Sequence, residues 1–228
     1  MKQYKYLDIA TVLFVVVLLL SNFIASNKIS QLGSFVFGSG VMFFPISYLL
    51  GDILTEVYGY SKSRRVIWLG FGALIFATLA VYVIVSLPPA DLWPNQDAYI
   101  RVFKNVPRTA FCSMLAYFCG EFANSYVMAK MKIWTKGKYL FTRTVGSTII
   151  GEGVDTLIFY PLALGGLIAF PWELIFKVMA ANYTLKVLWE VIATPITYKV
   201  VNYLKKKEHE DFYDYKTDFN PFVLSDKK

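Results

Sequence analysis

The feature that most constrains this sequence is a pair of long hydrophobic runs without a charged residue, at 9–25 and 66–87. An α-helix needs about 20 mostly apolar residues to cross the hydrocarbon core of a bilayer. The whole chain shares this bias, because 56% of its 228 residues are hydrophobic and only 17% are charged. A water-soluble fold of this size has too little interior for so much apolar surface. The sequence therefore predicts a membrane protein and excludes a soluble enzyme, a disordered chain and a disulfide-stabilised secreted module.

The basic residues lie between alternate hydrophobic segments. Of the 23 Lys and Arg residues, 17 fall in four clusters, at 2–5, 62–65, 130–143 and 199–228. This alternation follows the positive-inside rule, which places basic loops in the cytoplasm. It predicts that both termini are cytoplasmic, and it accounts for the net charge of +7 without a nucleic-acid partner.

The predicted fold class is an all-α membrane protein with six transmembrane helices in one bundle. The six spans cover about 8–26, 41–59, 65–87, 108–131, 144–168 and 174–204. They give a transmembrane domain over 1–204 and a polar cytoplasmic tail over 205–228, which is expected to be frayed or disordered at least in part. Alternating residues at 28–40 predict a hairpin or a re-entrant loop. Residues 88–107 predict a loop followed by an interfacial amphipathic segment.

Seven charged side chains interrupt the predicted spans. A charge at the bilayer centre costs at least about 2.5–3.5 kcal/mol, so each is expected to face a partner, a cavity or a ligand. On four helices, such a residue lies roughly 18–20 Å from a flanking charged residue at about 1.5 Å per residue. That level is near the midplane, where transporters bind their substrates. The seven residues are Asp52, Glu56, Glu121, Glu152, Asp155, Lys186 and Glu190.

Helical spacing places polar, small and aromatic residues beside these charges. They are Tyr48 in the second span, Tyr117 and Asn124 in the fourth, Ser147, Gly151 and Phe159 in the fifth, and Tyr183 in the sixth. This mixture suits a planar ligand that stacks and forms hydrogen bonds better than it suits a bare ion.

Purely structural roles remain open for several of these residues. Lys186 has three candidate partners, which are Asp52, Asp155 and Glu190, and Glu56 is close in sequence to the basic cluster at 62–65. The glycines of the fifth span would serve close helix packing as well as a ligand. Ion pairs with lysine cannot neutralise all of the acids, because the spans contain six acids and at most two lysines.

Enzymatic sites find no support in the sequence. The single histidine, His209, lies in the tail, so no intramembrane Ser/His pair or HExxH site exists. A Walker A motif is also absent, and neither a metal site nor a cofactor is predicted. Cys112 and Cys119 are about 10 Å apart along one helix, too far for a disulfide, so both are interpreted as packing residues.

Four segments resemble the queuosine precursor transporter family, also called the YhhQ or vitamin uptake transporter family. They are FPISYLLGDILTEVYGYSKSRRVIW (44–68), AYFCGEFANSYV (116–127), STIIGEGVDTLIF (147–159) and NYTLKVLWEVIATP (182–195). The resemblance implies a fold similar to the substrate-binding subunits of energy-coupling-factor transporters. It also implies a multi-pass protein of the cell membrane that imports 7-cyano-7-deazaguanine and 7-aminomethyl-7-deazaguanine for salvage into queuosine-modified tRNA.

The resemblance also implies roles for individual residues. Asp52, Arg65, Ser147, Asp155, Tyr183 and Lys186 match the family pattern, whereas Glu121, Asn124 and Glu152 stand where Gln, Asp and Asn are common. The expected substrate-binding residues are Asp52, Glu121, Asn124, Ser147, Glu152, Asp155, Tyr183 and Lys186. Independently of the resemblance, the surplus of acids within the spans predicts proton coupling or gating by Glu56, Arg65 and Glu190, with Glu56 as the shuttle because it lies one turn from Asp52 toward the cytoplasm.

Ligand chemistry supports these roles. A guanine-like edge offers N–H donors and a carbonyl acceptor. Asp155 or Glu121 is expected to accept from the donors, and Lys186 or Asn124 to donate to the carbonyl. Glu152 or Asp52 is expected to bind a cationic 7-aminomethyl group.

Two modes of action remain. The chain either transports alone or is a substrate-binding subunit that needs a separate energising membrane complex. Such subunits dock through an AxxxA pattern on helix 1, whereas here Ala10 and Ala25 are fifteen residues apart, which favours the first mode. The expected partners are a small-molecule substrate and the lipid bilayer, and a homodimer is left open.

Overall fold

The computed structural model describes residues 4–25, 29–32, 35–103, 106–166 and 171–223. These residues form seven α-helices and one small hairpin. The helices are α1 (Leu7–Leu20), α2 (Phe44–Tyr58), α3 (Tyr60–Ser86), α4 (Gln96–Phe103), α5 (Val106–Trp134), α6 (Leu140–Leu164) and α7 (Trp172–Glu208). The strands are β1 (Ile29–Leu32) and β2 (Phe35–Gly38). A π-helical segment, Ser21–Ala25, follows α1, and a 3₁₀ segment, Ser39–Met42, precedes α2.

Six of the helices overlap the six predicted spans in sequence, although α1 is shorter than its span and the junction of α2 and α3 differs. A single residue, Gly59, separates these helices, where a longer break was predicted. Its φ of 83° lies in the left-handed region that favours glycine. A side chain here would also collide with the ring of Phe212. Gly59 therefore lets the chain turn sharply between two helices.

Large apolar side chains such as Phe76 on α3, Leu157 on α6 and Ile192 on α7 are exposed, while charged residues are buried. Among the described helices, α3 meets the length and apolarity needed to cross a membrane, and the segment Leu7–Phe23 is apolar but shorter. Four other long helices, α2, α5, α6 and α7, each carry buried charged residues.

The outer connections agree with their predicted character. β1 and β2 pair antiparallel, with Leu32 opposite Phe35, which confirms the hairpin alternative. The linking residues 33–34 lie outside the described residues. The helix α4 occupies the segment predicted to be amphipathic and buries no residue. The two cysteines are free thiols, as predicted.

The long helices pack around α2, which contacts α1, α3, α5 and α7. The α5–α6 pair approaches closely at Gly120 and Gly151. A Cβ on Gly151 would lie 2.6 Å from Asn124 Cβ and 2.9 Å from the Gly120 carbonyl oxygen. A Cβ on Gly153 would lie 3.8 Å from the Tyr183 ring, an ordinary contact. Gly151 therefore serves close helix packing.

The C-terminal segment folds back onto the bundle. Residues 209–223, here called the strap, contain turns but no helix or strand. Arg64 and Trp68 of α3 donate hydrogen bonds to the strap carbonyls of Asp218 and Pro221. The partial fraying expected of the tail does not include the strap, because side chains of the bundle hold the strap backbone.

Candidate functional site

Charged side chains from α2, α5, α6 and α7 converge in the interior. They are almost fully buried, with exposed fractions of 0% for Asp52 and Glu121, 1% for Glu152, 2% for Glu190, 4% for Asp155 and 8% for Lys186. The predicted facing of these side chains toward the interior is thus confirmed. At this burial, each group needs a partner or a ligand, because uncompensated charge in low dielectric is costly.

Lys186 of α7 links two carboxylates of α6. Its Nζ lies 2.6 Å from Glu152 Oε2 and 2.8 Å from Asp155 Oδ2. The same Nζ lies 5.2 Å from the centroid of the Phe44 ring, within cation–π range. Of the three candidate partners of Lys186, the structure thus selects Asp155, and it adds Glu152.

Asp52 of α2 is held by neutral groups. Asn124 Nδ2 of α5 donates to Asp52 Oδ1 at 2.7 Å, and Ser147 Oγ of α6 donates to the same oxygen at 3.4 Å. Within the described part of the chain, Asp52 Oδ2 and Asn124 Oδ1 have no hydrogen-bond partner. Side chains from three helices therefore meet at Asp52, and two of their buried oxygens remain able to accept hydrogen bonds from a ligand.

Glu121 is the least satisfied acid of the site. Its carboxylate oxygens lack a well-formed hydrogen bond among the described residues, although the Tyr117 and Ser125 hydroxyls lie near enough to interact with them. The Tyr48 hydroxyl also lacks a partner there. The carboxylate packs directly on Gly51 of α2. The Tyr48 and Tyr117 rings meet edge to face at 5.4 Å. In this part of the interior, the Glu121 carboxylate and the Tyr48 and Tyr117 hydroxyls are not held by well-formed hydrogen bonds from the described protein, so they are available to a ligand.

Glu190 faces a different space. It lines a cavity of about 240 Å³ between α2 and α7, together with apolar residues that include Pro45, Leu49 and Trp189. Its Oε1 has no hydrogen-bond partner in the ranges that the structure describes. Tyr183 is separate from the cluster, because its exposed hydroxyl donates to the Ile149 carbonyl at 3.2 Å.

Glu56, one helical turn from Asp52, belongs to a second ionic cluster. Its carboxylate accepts from Arg143 Nη2 of α6 at 2.9 Å and from Lys205 Nζ of α7 at 2.6 Å, and Lys132 Nζ of α5 lies 3.6 Å away. These partners come from the basic clusters at 130–143 and 199–228, whereas Arg65 is exposed.

Both lysines of this cluster also bind the strap. Asp211 Oδ1 lies 2.6 Å from Lys132 Nζ and 2.9 Å from Lys205 Nζ. Partial burial opposes ionisation of Asp211, but hydrogen bonds from the two lysines outweigh it and hold the pKa of the carboxyl below its ordinary value. The Glu56 cluster therefore joins four helices and the strap.

Sequence reasoning missed two kinds of residue. Phe44 carries no polar group, and only its position one turn before Tyr48 on α2 connects it to the site. Lys132, Arg143 and Lys205 were assigned to surface loops by the positive-inside pattern, which does not distinguish a buried base from an exposed one. The described residues contain no group of three or more His, Cys, Asp or Glu suited to a metal ion.

The site can bind a small polar molecule rather than perform covalent chemistry. Among the described residues, two carboxylates bind the ammonium of Lys186, three more are buried in the same interior, and several buried oxygens lack partners. Aromatic rings border the same space. Such a site offers acceptors for N–H donors, one strong donor, and surfaces on which a planar ring can stack.

Comparison with known proteins places the chain among transporters. The model of the vitamin uptake transporter family matches residues 38–200, more than two thirds of the chain. A Bacillus subtilis (strain 168) protein named "Probable queuosine precursor transporter" is 29% identical over 148 residues, which are 64% of this chain and 64% of that protein. The chain thus matches just under two thirds of that relative's length. No solved structure matches. Both matches agree with the four resembling segments, and the chain belongs to the vitamin uptake transporter family.

Proposed function

We propose that this protein imports queuosine precursors, 7-cyano-7-deazaguanine and 7-aminomethyl-7-deazaguanine, for salvage into tRNA modification. The observation that carries this proposal is the buried cluster of Asp52, Glu121, Glu152, Asp155 and Lys186, whose acceptors exceed the donors available within the described protein. The name of the Bacillus subtilis relative supports the same substrate class.

The substrate site is proposed to comprise the eight residues singled out in the sequence. Glu121 is the better of the two candidates for the donor edge of the ring, because no basic side chain of the described residues binds it, whereas Asp155 already binds Lys186. Lys186 or Asn124 donates to the ring carbonyl. Asp52, with its open Oδ2, accepts from a 7-aminomethyl ammonium. Tyr183 contributes only after a change of conformation, because its hydroxyl is exposed.

The proposed arrangement in the membrane has six spanning helices and cytoplasmic termini, in the cell membrane. The six long helices and the basic clusters at alternate ends support it. The transmembrane domain then ends near residue 204, and the segment 205–228 lies on the cytoplasmic side. A fold similar to the substrate-binding subunits of energy-coupling-factor transporters remains part of this proposal.

Selectivity tests the proposed substrate class. We expect guanine to displace a bound 7-deazaguanine at least 10-fold better than adenine does, because adenine lacks the paired N–H donors and would leave a buried carboxylate unsatisfied. The measurement is competition binding to the purified protein in detergent, with hypoxanthine as the control that keeps the carbonyl and lacks the amino group. Equal displacement by adenine and guanine would contradict the proposal.

Energy coupling is proposed to use a proton carried by Glu190. A neutral substrate cannot balance the surplus acids. Glu190 lines a cavity and has a buried oxygen without a hydrogen-bond partner in the described chain, whereas Glu56 is held by three basic side chains. We expect uptake by the purified protein alone in liposomes to rise with an inward proton gradient, and Glu190→Gln to lose this response.

Glu173→Gln is the matched control, because Glu173 lies on the same helix with a side chain that is 81% exposed. Gradient-independent uptake by the parent protein would favour facilitated diffusion and reject the proton mechanism. If uptake appears only after an energising membrane complex is added, the chain is a binding subunit instead.

A further inference from the structure

The strap is anchored along the start of α3. Arg64 Nη1 donates to the carbonyls of Asp218 and Asn220 at 2.7 and 2.8 Å. Tyr60 Oη donates to the Phe219 carbonyl at 2.9 Å, and Trp68 Nε1 donates to the Pro221 carbonyl at 2.8 Å. The Arg64 side chain is fully buried. The strap is thus held mainly through its backbone by polar side chains of one helix.

The other end of the strap contacts the Glu56 cluster. Lys132 Nζ donates to the Phe212 carbonyl at 2.7 Å and to the Glu56 carbonyl at 2.5 Å. Lys132 and Lys205 each bind both Asp211 and Glu56. When Asp211 leaves, both lysines lose one of their two carboxylates. Release of the strap also breaks the hydrogen bond from the Phe212 N–H to the Val57 carbonyl of α2 and lets water reach the Glu56 ion pairs, which weakens the attachment of Glu56 to α5 and α7.

The position of this cluster gives the coupling a consequence for transport. Glu56 is one turn beyond Asp52 on α2, between the polar interior and the end of the bundle that carries the basic clusters. A substrate leaving Asp52 toward that end must pass between helices that the Glu56 cluster ties together. Ion pairs of 2.6–2.9 Å do not survive the separation of helix ends that alternating access requires.

We propose that the strap is a lid over this end of the substrate path, and that it must undock from α3 and the Glu56 cluster in each transport cycle. The proposal rests on the proposed transport function for the identity of the path. A segment without helix or strand, held by side-chain contacts, can open locally without unfolding the helices beneath it. Opening then removes Asp211 and frees α5 and α7 to part from α2.

The first test locks the lid. The rings of Tyr126 on α5 and Phe219 on the strap are 5.1 Å apart, so Tyr126→Cys/Phe219→Cys in a Cys112→Ala/Cys119→Ala background can be joined by a short reversible bis-methanethiosulfonate crosslinker. We expect crosslinking to lower uptake of 7-cyano-7-deazaguanine into proteoliposomes at least 10-fold and reductant to restore it. Ligand binding in detergent should change less than 2-fold. Unchanged uptake by the crosslinked protein would overturn the lid.

The second test needs no substrate, so it separates the lid from the proposed function. Asp211→Ala is expected to speed hydrogen–deuterium exchange in the strap and also in residues 53–58 at the end of α2, by at least 5-fold in both. Asp218→Ala removes the same charge from an exposed strap residue whose carboxylate bonds only locally, to the Asn220 N–H, and it should change neither. Faster exchange in the strap alone would overturn the coupling. A parent protein that transports no deazaguanine, yet shows coupled exchange, would reject the proposed substrate and keep the lid.

Discussion

Lys186→Ala is expected to abolish substrate binding and uptake. The substitution leaves Glu152 and Asp155, which are 1% and 4% exposed, without their shared ammonium. Removing one partner from a buried ion pair costs about 3–5 kcal/mol, which is more than 100-fold in an equilibrium constant. The site must then take up protons or water, and the ring carbonyl loses its donor. The measurement is ligand-induced thermal stabilisation of the purified protein, followed by uptake.

The matched control for this prediction is Lys177→Ala. Lys177 lies on the same helix, its side chain is 71% exposed, and it pairs with Glu173 at the surface, so its loss should leave binding unchanged. Asp155→Asn keeps the shape of the site and should also abolish binding. It therefore tests the site even if Lys186→Ala does not fold. A parental thermal shift in either site variant would remove that residue from the substrate site.

Gly151→Ala is expected to destabilise the protein and abolish uptake together. The added Cβ would lie 2.6 Å from Asn124 Cβ and 2.9 Å from the Gly120 carbonyl, so α5 and α6 must separate. Overpacking of this kind costs about 1–3 kcal/mol. Because Asn124 donates to Asp52, the separation also moves a hydrogen bond of the site. Thermal unfolding and uptake are measured on the same preparation.

Gly153→Ala provides the comparison, since its Cβ would meet only the Tyr183 ring, at 3.8 Å. It should leave uptake unchanged and stabilise the helix by up to about 1 kcal/mol, the difference in helix propensity between glycine and alanine. Two variants with equal effects would show that the close approach of α5 and α6 is not a constraint on function.

The long helices and the facing of their buried charges were predictable because both follow from local pattern. Hydrophobic runs have the length of a bilayer, and a helical repeat places Asp52 and Tyr48 on one side of α2 whatever lies opposite. The single-residue break at Gly59 was harder to predict from the sequence, because glycine occurs both in turns and at close helix contacts.

The pairing of buried charges was not predictable in the same way. Glu56 was expected near the basic cluster at 62–65 but binds Arg143, Lys132 and Lys205, which only tertiary packing brings together. The tail that contains the strap was expected to be frayed at least in part, because its composition is polar. The backbone carbonyls of the strap instead accept hydrogen bonds from Tyr60, Arg64 and Trp68 of α3. The amino-acid composition of the strap does not show which distant side chains will donate to its backbone.

The excess of interior carboxylates over Lys186 has an electrical consequence. If one proton on Glu190 accompanies each cargo and the empty carrier returns with its own charge unchanged, each cycle moves one positive charge with the neutral 7-cyano compound and two with the cationic 7-aminomethyl compound. The membrane potential is worth about 2.3 kcal/mol per elementary charge at 100 mV, so the second charge adds roughly 50-fold to the accumulation of the cationic compound. One binding site would thus concentrate its two proposed cargoes to different extents in a polarised cell.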